Sequence, residues 1–402
     1  MRHYLAMRIL TRYVLLELVK VFVLAMFALT PMMLIVGLFQ EAMRYSLPPA
    51  EILRLVPYTI PFALSVAIPV TLLLATTGIY ARMSGSNEII ALKAQGISPW
   101  AVIWPSVVVA FVLSLGTVWL TDLAVSWGRN GAQRVIIEAV EEIAYGVLRT
   151  RRSYSSSAFS VNVKRVEGQR LIRPTLSIRR RDGSPTITIT AAEAKLSCDK
   201  EEGVLKVVLW DGYVDMEGEG AFRFPNDVWE QEIPLTTASR VEDRSHVPSN
   251  IALGAIRRET AGQIERIDTY RRELAVRAAF EILSGDFDQL TGREWQTRQR
   301  LMEDHVGRLH RLHTEPHRRW SAGFSCFCFL WVGAPMAIRL RNRDFLTSFF
   351  LCFTPILVVY YPIMMYGIDG AKSGTIPPYT VWAGNLILLV WGFYLLRKVL
   401  RY

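Results

Sequence analysis

Asn87-Glu88-Ile89-Ile90-Ala91-Leu92-Lys93, in a polar turn between two long apolar runs, is the stretch whose residue types and spacing could act on something outside the chain. Ser86 can cap a short helix here and Gly96 can end it. Glu88, in the first turn, favours the positive end of that helix's dipole. Ile89, Ile90, Leu92 and Ile97 are too apolar for a loop facing water. They need a partner surface: the membrane interface, the rest of the chain or a second protein. One acid set in a short apolar helix is docking chemistry, in which the apolar side chains supply area and the carboxylate supplies register.

The other reactive residue types form no comparable set. His310, His313 and His317 fall at i, i+3 and i+7, near one helix face. Arg308, Arg311, Arg318 and Arg319 surround them, which reads as a basic cluster at headgroup level rather than a metal site. Cys326-x-Cys328 has no further ligands nearby. Asp369-Gly370-Ala371-Lys372-Ser373-Gly374 lacks the glycine before the lysine that a phosphate loop needs. No nucleophile–base pair stands out, so neither a metal, a cofactor nor an enzymatic activity is expected.

The turn is positioned by six uncharged apolar runs: Val21–Phe39, Val56–Tyr80, Gly96–Thr121, Trp320–Ile338, Phe345–Ile368 and Ser373–Leu396. Each is long enough to cross a bilayer core of ~30 Å as helix. Hydrophobic residues make up 51% of the 402, but that average hides a division, because residues 126–319 have the polarity of a soluble domain. The chain is therefore a polytopic membrane protein with three spans on each side of a polar middle. Residues 1–18 read as an interfacial helix leading into the first span, with Leu5, Ile9, Tyr13 and Leu16 on one face and Arg8 and Arg12 on another.

Basic residues fall on one side of the alternation. Arg2, Arg8, Arg12, Arg82, Lys93, Arg339, Arg341, Arg343, Arg397, Lys398 and Arg401 all lie there, and the opposite short turns are poorer in base. By the positive-inside rule both termini and the 84–97 turn are cytoplasmic, and the polar middle is exported. No nucleic-acid partner is expected. No acid lies inside a run, which argues against a proton- or ion-coupled carrier. A short helix on the cytoplasmic side between two spans suits insertion into a motor subunit.

The exported middle has two parts. Residues 150–240 alternate in Thr186–Thr190 and in Leu205–Trp210, with turn signals at Arg181–Ser184, Asp199–Gly203, Asp211-Gly212 and Phe224–Asp227. Short strands at that spacing predict an antiparallel sandwich or jelly roll. Residues 250–318 predict a charged helical hairpin broken at Ser284-Gly285-Asp286, with the second arm running into the fourth span. The predicted domains are a membrane half at 1–125 with a coupling helix at 84–97, a β-jelly-roll domain at 126–249, the hairpin at 250–318 and a second membrane half at 319–402.

Asn87, Glu88, Ile89, Ala91, Leu92, Lys93, Gly96, Ile97 and Ser98 match a pattern N-E-I-x-A-[LM]-[RK]-x-x-G-[IV]-S, and here the chain resembles the LptF/LptG (YjgP/YjgQ) permeases of lipopolysaccharide export. The proline-rich second span with Pro57, Pro61 and Pro69 is similar as well. So are Ile376-Pro377-Pro378-Tyr379 followed by Gly384-Asn385-Leu386, and the strands Ile189–Ala192 and Leu209–Gly212. The resemblance covers nearly all the chain except about 255–300, which is longer than family members usually carry.

The resemblance implies an inner-membrane permease paired with a second LptF/LptG-type subunit on a cytoplasmic ABC ATPase dimer (LptB-like). It would extract lipopolysaccharide and pass it to periplasmic jelly-roll bridge proteins (LptC/LptA-like). By residue match Glu88 is the acid that meets the ATPase, with Asn87, Ile89, Leu92 and Lys93 around it. Family members face lipid phosphates with basic residues near the first and third spans. The first span here has none between Val21 and Phe39, so Arg44, Arg129 and Arg134 are the candidates for lipid headgroups. The alternative is a mechanotransmitting scaffold that couples a cytoplasmic ATPase to a periplasmic partner without moving lipid. An apolar lipid-sized cavity between the halves would separate the two, since a transmitter needs none.

Overall fold

Helices form wherever the apolar runs demand internal satisfaction of backbone polar groups, since hydrocarbon offers them no other partner. The computed structural model describes the chain except residues 1, 46–48, 139, 156–158, 179–186, 200–203, 217–219, 224–227, 235–246, 286, 341–344 and 402. In chain order come α1 (Arg2–Tyr45), α2 (Pro49–Gly85), α3 (Glu88–Ala94) and α4 (Pro99–Leu123), then a π-helical stretch Ala124–Arg129, α5 (Asn130–Glu138) and α6 (Val140–Arg151). After the strands come a 3-10 turn Pro248–Asn250, α7 (Leu253–Ser284), α8 (Asp288–Thr291) and α9 (Arg293–Arg339). The last part holds α10 (Phe345–Pro355), a π-helical stretch Ile356–Tyr360, α11 (Tyr361–Ser373), a 3-10 turn Pro378–Trp382 and α12 (Ala383–Arg401). Six helical segments among the described residues are long and apolar enough to cross a membrane. Residues 2–18, expected as an interfacial helix leading into the first span, run without a break into that span as part of α1.

Two compact units result. One comprises Met1–Met33, Pro61–Ser126 and Pro248–Tyr402, and the other Leu34–Ile60 and Trp127–Val247. In the first unit α9 is the central helix, with a core of Leu72, Leu73, Val102, Ile103, Phe329, Leu330, Val332 and Leu388 around it. Lipid is as apolar as these side chains, so association rests on close packing and interhelical hydrogen bonds. Gly323 lies against Val118 and Ser114 of α4, and Gly392 of α12 against the Trp331 backbone of α9. Asn385 of α12 donates to the Ser321 carbonyl (2.8 Å) and to its hydroxyl (3.1 Å), so a polar residue of the last span pins it to α9.

The hairpin of this unit is an antiparallel pair of helices. Ile256, Thr260, Gln263, Ile267, Tyr270 and Leu274 on α7 repeat at alternating four- and three-residue steps, as a two-helix seam requires. Gln263 Nε2 donates to the His305 carbonyl (3.0 Å), and Arg308 reaches Glu259 at 3.5 Å, fixing the register polar to polar. α7 stops at Ser284 because Gly285 adopts φ +75°, a left-handed cap that costs glycine nothing.

The second unit carries an antiparallel sheet. Its strands are β1 (Ser153–Ser155), β2 (Phe159–Asn162), β3 (Arg165–Glu167), β4 (Arg170–Ile172), β5 (Thr175–Ile178), β6 (Ile187–Asp199), β7 (Val204–Met216), β8 (Gly220–Arg223) and β9 (Val228–Pro234). The two long strands β6 and β7 pair along their whole length, Ile187 with Met216 through to Asp199 with Val204. Each has its other edge shared: β6 by β5 then β4, and β7 by β9 then β8. The changeover falls at one step. Buried residues run Ile189, Ala191 then Ala194, Leu196 on β6, and Val207, Leu209 then Val214 on β7, so the inward parity switches on both strands together. Asp211, at φ +48°, makes the switch. Aspartate tolerates this left-handed conformation because its short polar side chain bonds locally. Asp211-Gly212 was expected to be a turn between strands; it is instead the bend that curls the sheet.

The expected turns at Arg181–Ser184 and Phe224–Asp227, and residues 200–203 of the one at Asp199–Gly203, lie outside the described residues.

The curl encloses an apolar interior of Val163, Leu171, Leu176, Ile189, Leu196, Val207, Leu209 and Val214, closed by Tyr145 and Leu148 of α6. The Tyr145 hydroxyl accepts from the Leu196 amide (2.8 Å) and donates to the Gln169 carbonyl (2.7 Å). Tyr145→Phe strands a buried amide, a loss of about 1–3 kcal/mol. Exchange of the Leu196 amide with solvent deuterium is then expected to quicken by roughly tenfold; an unchanged rate would show that the ring, not the hydroxyl, holds α6.

Candidate functional site

α2 ends at Gly85, and the chain reverses over Ser86 and Asn87 before α3 begins. The reversal is made by Asn87 at φ 62°, which occupies the cap position of α3 expected of Ser86. Asparagine is enriched there because its short amide tolerates the left-handed region. Ser86 turns back instead, and its one hydroxyl proton is shared between the Arg82 carbonyl (2.9 Å) and Glu88 Oε1 (2.8 Å). Gly96, at φ +79°, follows the helix and donates its amide to the Lys93 carbonyl at 2.9 Å. The Ser98 hydroxyl then caps α4 by accepting from the Trp100 amide (3.3 Å), with Pro99 in the first helical position.

The seven residues of α3 sort by face. Ile89 is 3% exposed and joins the core of the first unit, with Leu92 packed beside it. Lys93 is half-buried, and its ammonium donates to the Val399 carbonyl at 2.8 Å. Asn87, Ile90, Ala91 and Ala94 are exposed. Glu88 lies at the border between these faces, and among the described residues no lysine or arginine pairs with it. The outward surface is thus two alanines and an isoleucine beside an amide and a carboxylate with no counter-ion among the described residues. Such a surface can enter an apolar groove and offer one charge for register.

Three side chains fasten this region to other helices. Arg82 reaches Glu17 of α1 at 3.1 Å, Ser84 donates to the Ile338 carbonyl of α9 at 2.6 Å, and Lys93 holds α12. Of the five residues expected at a partner surface, the structure turns Asn87 outward, leaves Glu88 at the edge and turns Ile89, Leu92 and Lys93 inward. Local periodicity shows that two faces exist but not which of them the bundle covers.

Arg129 closes the π-helical stretch and Arg134 lies on α5, both exposed. The Arg44 side chain lies outside the described residues.

Arg319 departs from expectation. Read from sequence as part of an exposed basic cluster, it is fully buried. Its guanidinium donates to Asp122 Oδ1 (3.0 Å) and to the carbonyls of Ser249 (3.2 Å) and Ile251 (2.7 Å), and its Nε lies 3.6 Å from Glu315 Oε2. Asp122 also accepts from the Leu253 amide (2.7 Å), so it caps α7 from another helix. Glu315 is itself buried and pairs with Arg318 at 2.7 Å. A buried arginine is retained only where its donors find acceptors, and this one finds them on three segments. Asp122, one residue beyond an uncharged run, was the only signal in the sequence. His310, expected in the same exposed cluster, is half-buried with its ring against Gly374.

None of the curated proteins compared matches the chain. The profile of a family described as lipopolysaccharide export system permease LptF/LptG matches residues 12–398.

Proposed function

Because the chain belongs to the LptF/LptG family of lipopolysaccharide export permeases, we propose that it is the membrane subunit of an ABC transporter that lifts lipopolysaccharide, or a similar glycolipid, out of the inner membrane. Its fuel is burned by a cytoplasmic ATPase dimer that receives α3. Its lipid passes through the curled sheet to a periplasmic bridge of similar sheets, and a second permease of the same kind completes the membrane part. Both termini and α3 face the cytoplasm in this reading, as the positive-inside rule requires of Arg82, Lys93, Arg339, Arg397, Lys398 and Arg401.

The observation that carries the reading is the outward face of α3: Glu88 without a counter-ion among the described residues, beside exposed Ile90. The energetics call for an external engine. Each CH₂ of an acyl chain drawn into water costs ~0.8 kcal/mol, so a lipid with several chains leaves the bilayer only into an apolar enclosure and against a large gradient of free energy. The interior of the sheet is apolar, lined by Ile189, Leu196, Val207, Leu209 and Val214, which supports its part as enclosure. Arg129, Arg134 and Arg44 remain the candidates for holding headgroup phosphates.

Glu88→Lys tests the docking. The variant is expected to insert and fold as the wild type does, and lipid release from proteoliposomes is expected to fall by roughly tenfold or more, since like-charge juxtaposition at an interface costs several kcal/mol. Release at the wild-type rate would remove Glu88 from the ATPase interface. Wild-type ATP turnover with no lipid released at all would leave the mechanotransmitting alternative standing.

A further inference from the structure

α3 is tied covalently to the first membrane half, through Gly85 and Pro99, yet two side chains at this end of that half, Ser84 in the last turn of α2 and Lys93 on α3, bond to acceptors in the second half. Ser84 Oγ donates to the Ile338 carbonyl at 2.6 Å and Lys93 Nζ to the Val399 carbonyl at 2.8 Å. Ile338 lies in the last turn of α9, which ends at Arg339, and Val399 in the last turn of α12, which ends at Arg401. The last four carbonyls of any helix have no partner within the helix, so each anchor meets an acceptor the second half leaves open. A cation at a helix C-terminus also meets the negative end of the dipole. Ser84 is 5% exposed and Lys93 half-buried, so neither contact is a surface encounter.

We propose that Ser84 and Lys93 form a clamp that carries displacement of α3 into the second membrane half, with Lys93 positioning α12 rather than touching the ATPase. The proposal rests on the reading that α3 is the ATPase's docking element. Pulled only through its covalent ends, α3 would move α2 and α4. With the clamp closed, the same stroke also moves α9 and α12, so both halves respond to one event. The 47-residue α9 continues into the hairpin, and the stroke is then delivered along it to both sides of the bilayer.

The test uses the complete transporter, permease with its ATPase, in proteoliposomes loaded with lipopolysaccharide, and measures lipid released per ATP hydrolysed. Lys93→Met keeps an unbranched side chain as far as the ε-carbon and deletes the donor. It is expected to retain the ATPase at wild-type stoichiometry and to lower the ratio by roughly tenfold, the scale of one charge-assisted hydrogen bond. Lys93→Arg, which keeps charge and donor, is expected to return the ratio to within about twofold. Ser84→Ala removes a single oxygen from the other arm and is expected to lower the ratio in the same direction, which keeps the clamp testable if Lys93→Met does not assemble. A wild-type ratio in Lys93→Met, or in Ser84→Ala, overturns the clamp. Loss of the ATPase from Lys93→Met with retention by the wild type also overturns it, because Lys93 would then face the partner. A wild-type permease that retains no ATPase defeats the docking reading instead and is a separate result.

Discussion

Arg319→Met is expected to destabilise the membrane unit by about 3–5 kcal/mol, the usual consequence of removing one partner from a buried ion pair. Arg319 is fully buried and gathers Asp122, Glu315 and the carbonyls of Ser249 and Ile251. Methionine fills the volume but leaves the Glu315 carboxylate, 1% exposed, without that cation, and leaves both carbonyls without this donor. The effect is expected to be local in structure. Asp122 still caps the Leu253 amide, but the root of α7 loses its tie to α9, so the hairpin loosens first. Asp122→Asn is expected to cost less, because the amide oxygen still accepts from Leu253. Thermal unfolding in detergent, with limited proteolysis near residues 247–253, reads both changes. A melting temperature within 2 °C of wild type for Arg319→Met, taking roughly 2–4 °C per kcal/mol, would show that the cluster adds no net stability.

Gly323→Leu is expected to prevent α4 and α9 from closing. A β-carbon at this position would lie 2.3 Å from Val118 Cγ2, 3.1 Å from the Val118 amide nitrogen and 3.2 Å from the Ser114 carbonyl oxygen. Two of the three obstacles are backbone and cannot rotate away. Separating the helices also breaks the hydrogen bond from the Phe327 amide to Ser114 Oγ (3.1 Å) and the Thr117–Cys326 hydrogen bond at 3.5 Å. Overpacking usually costs about 1–3 kcal/mol. With backbone in the way and both of those hydrogen bonds broken, the expected destabilisation is at the top of that range or above it. The yield of monodisperse protein after purification measures it, with Gly116→Leu as the control, since a β-carbon on Gly116 of α4 meets nothing within 4 Å. Equal yields from the two variants would mean that α4 and α9 do not approach closely at Gly323.

The proposed docking element was only partly legible in the sequence. That a short helix with an acid and four apolar residues occupies 84–97 was legible, because the caps and breakers are local. Which of its residues face outward was not. Ile89 and Ile90 are chemically identical neighbours, and only the bundle decides that one is 3% exposed and the other 44%. Asp211-Gly212 carries the composition of a turn, and the sequence cannot tell a turn from a bend shared by two paired strands. Pairing with Ala191 at Gly212 and with Glu193 at Trp210 settles it. His310 and Arg319 share a basic neighbourhood in sequence, yet one rests against a glycine and the other is locked in an ion cluster.

By itself the sequence determined the class of the protein and the order of its parts: six spans in two sets of three, a sheet-forming stretch, a charged hairpin, and a signature turn that places it in its family. These follow from hydrophobic length, period and breaker residues, all of which act within a few turns of chain. Tertiary structure alone decided the partners of charged and polar side chains. Arg319 and Asp122 are 197 residues apart in the chain, and Lys93 and Val399 are 306 apart. No local pattern encodes contacts at that separation. They exist because burial removes water, and a buried charge or amide must then find whatever acceptor the folded neighbours present.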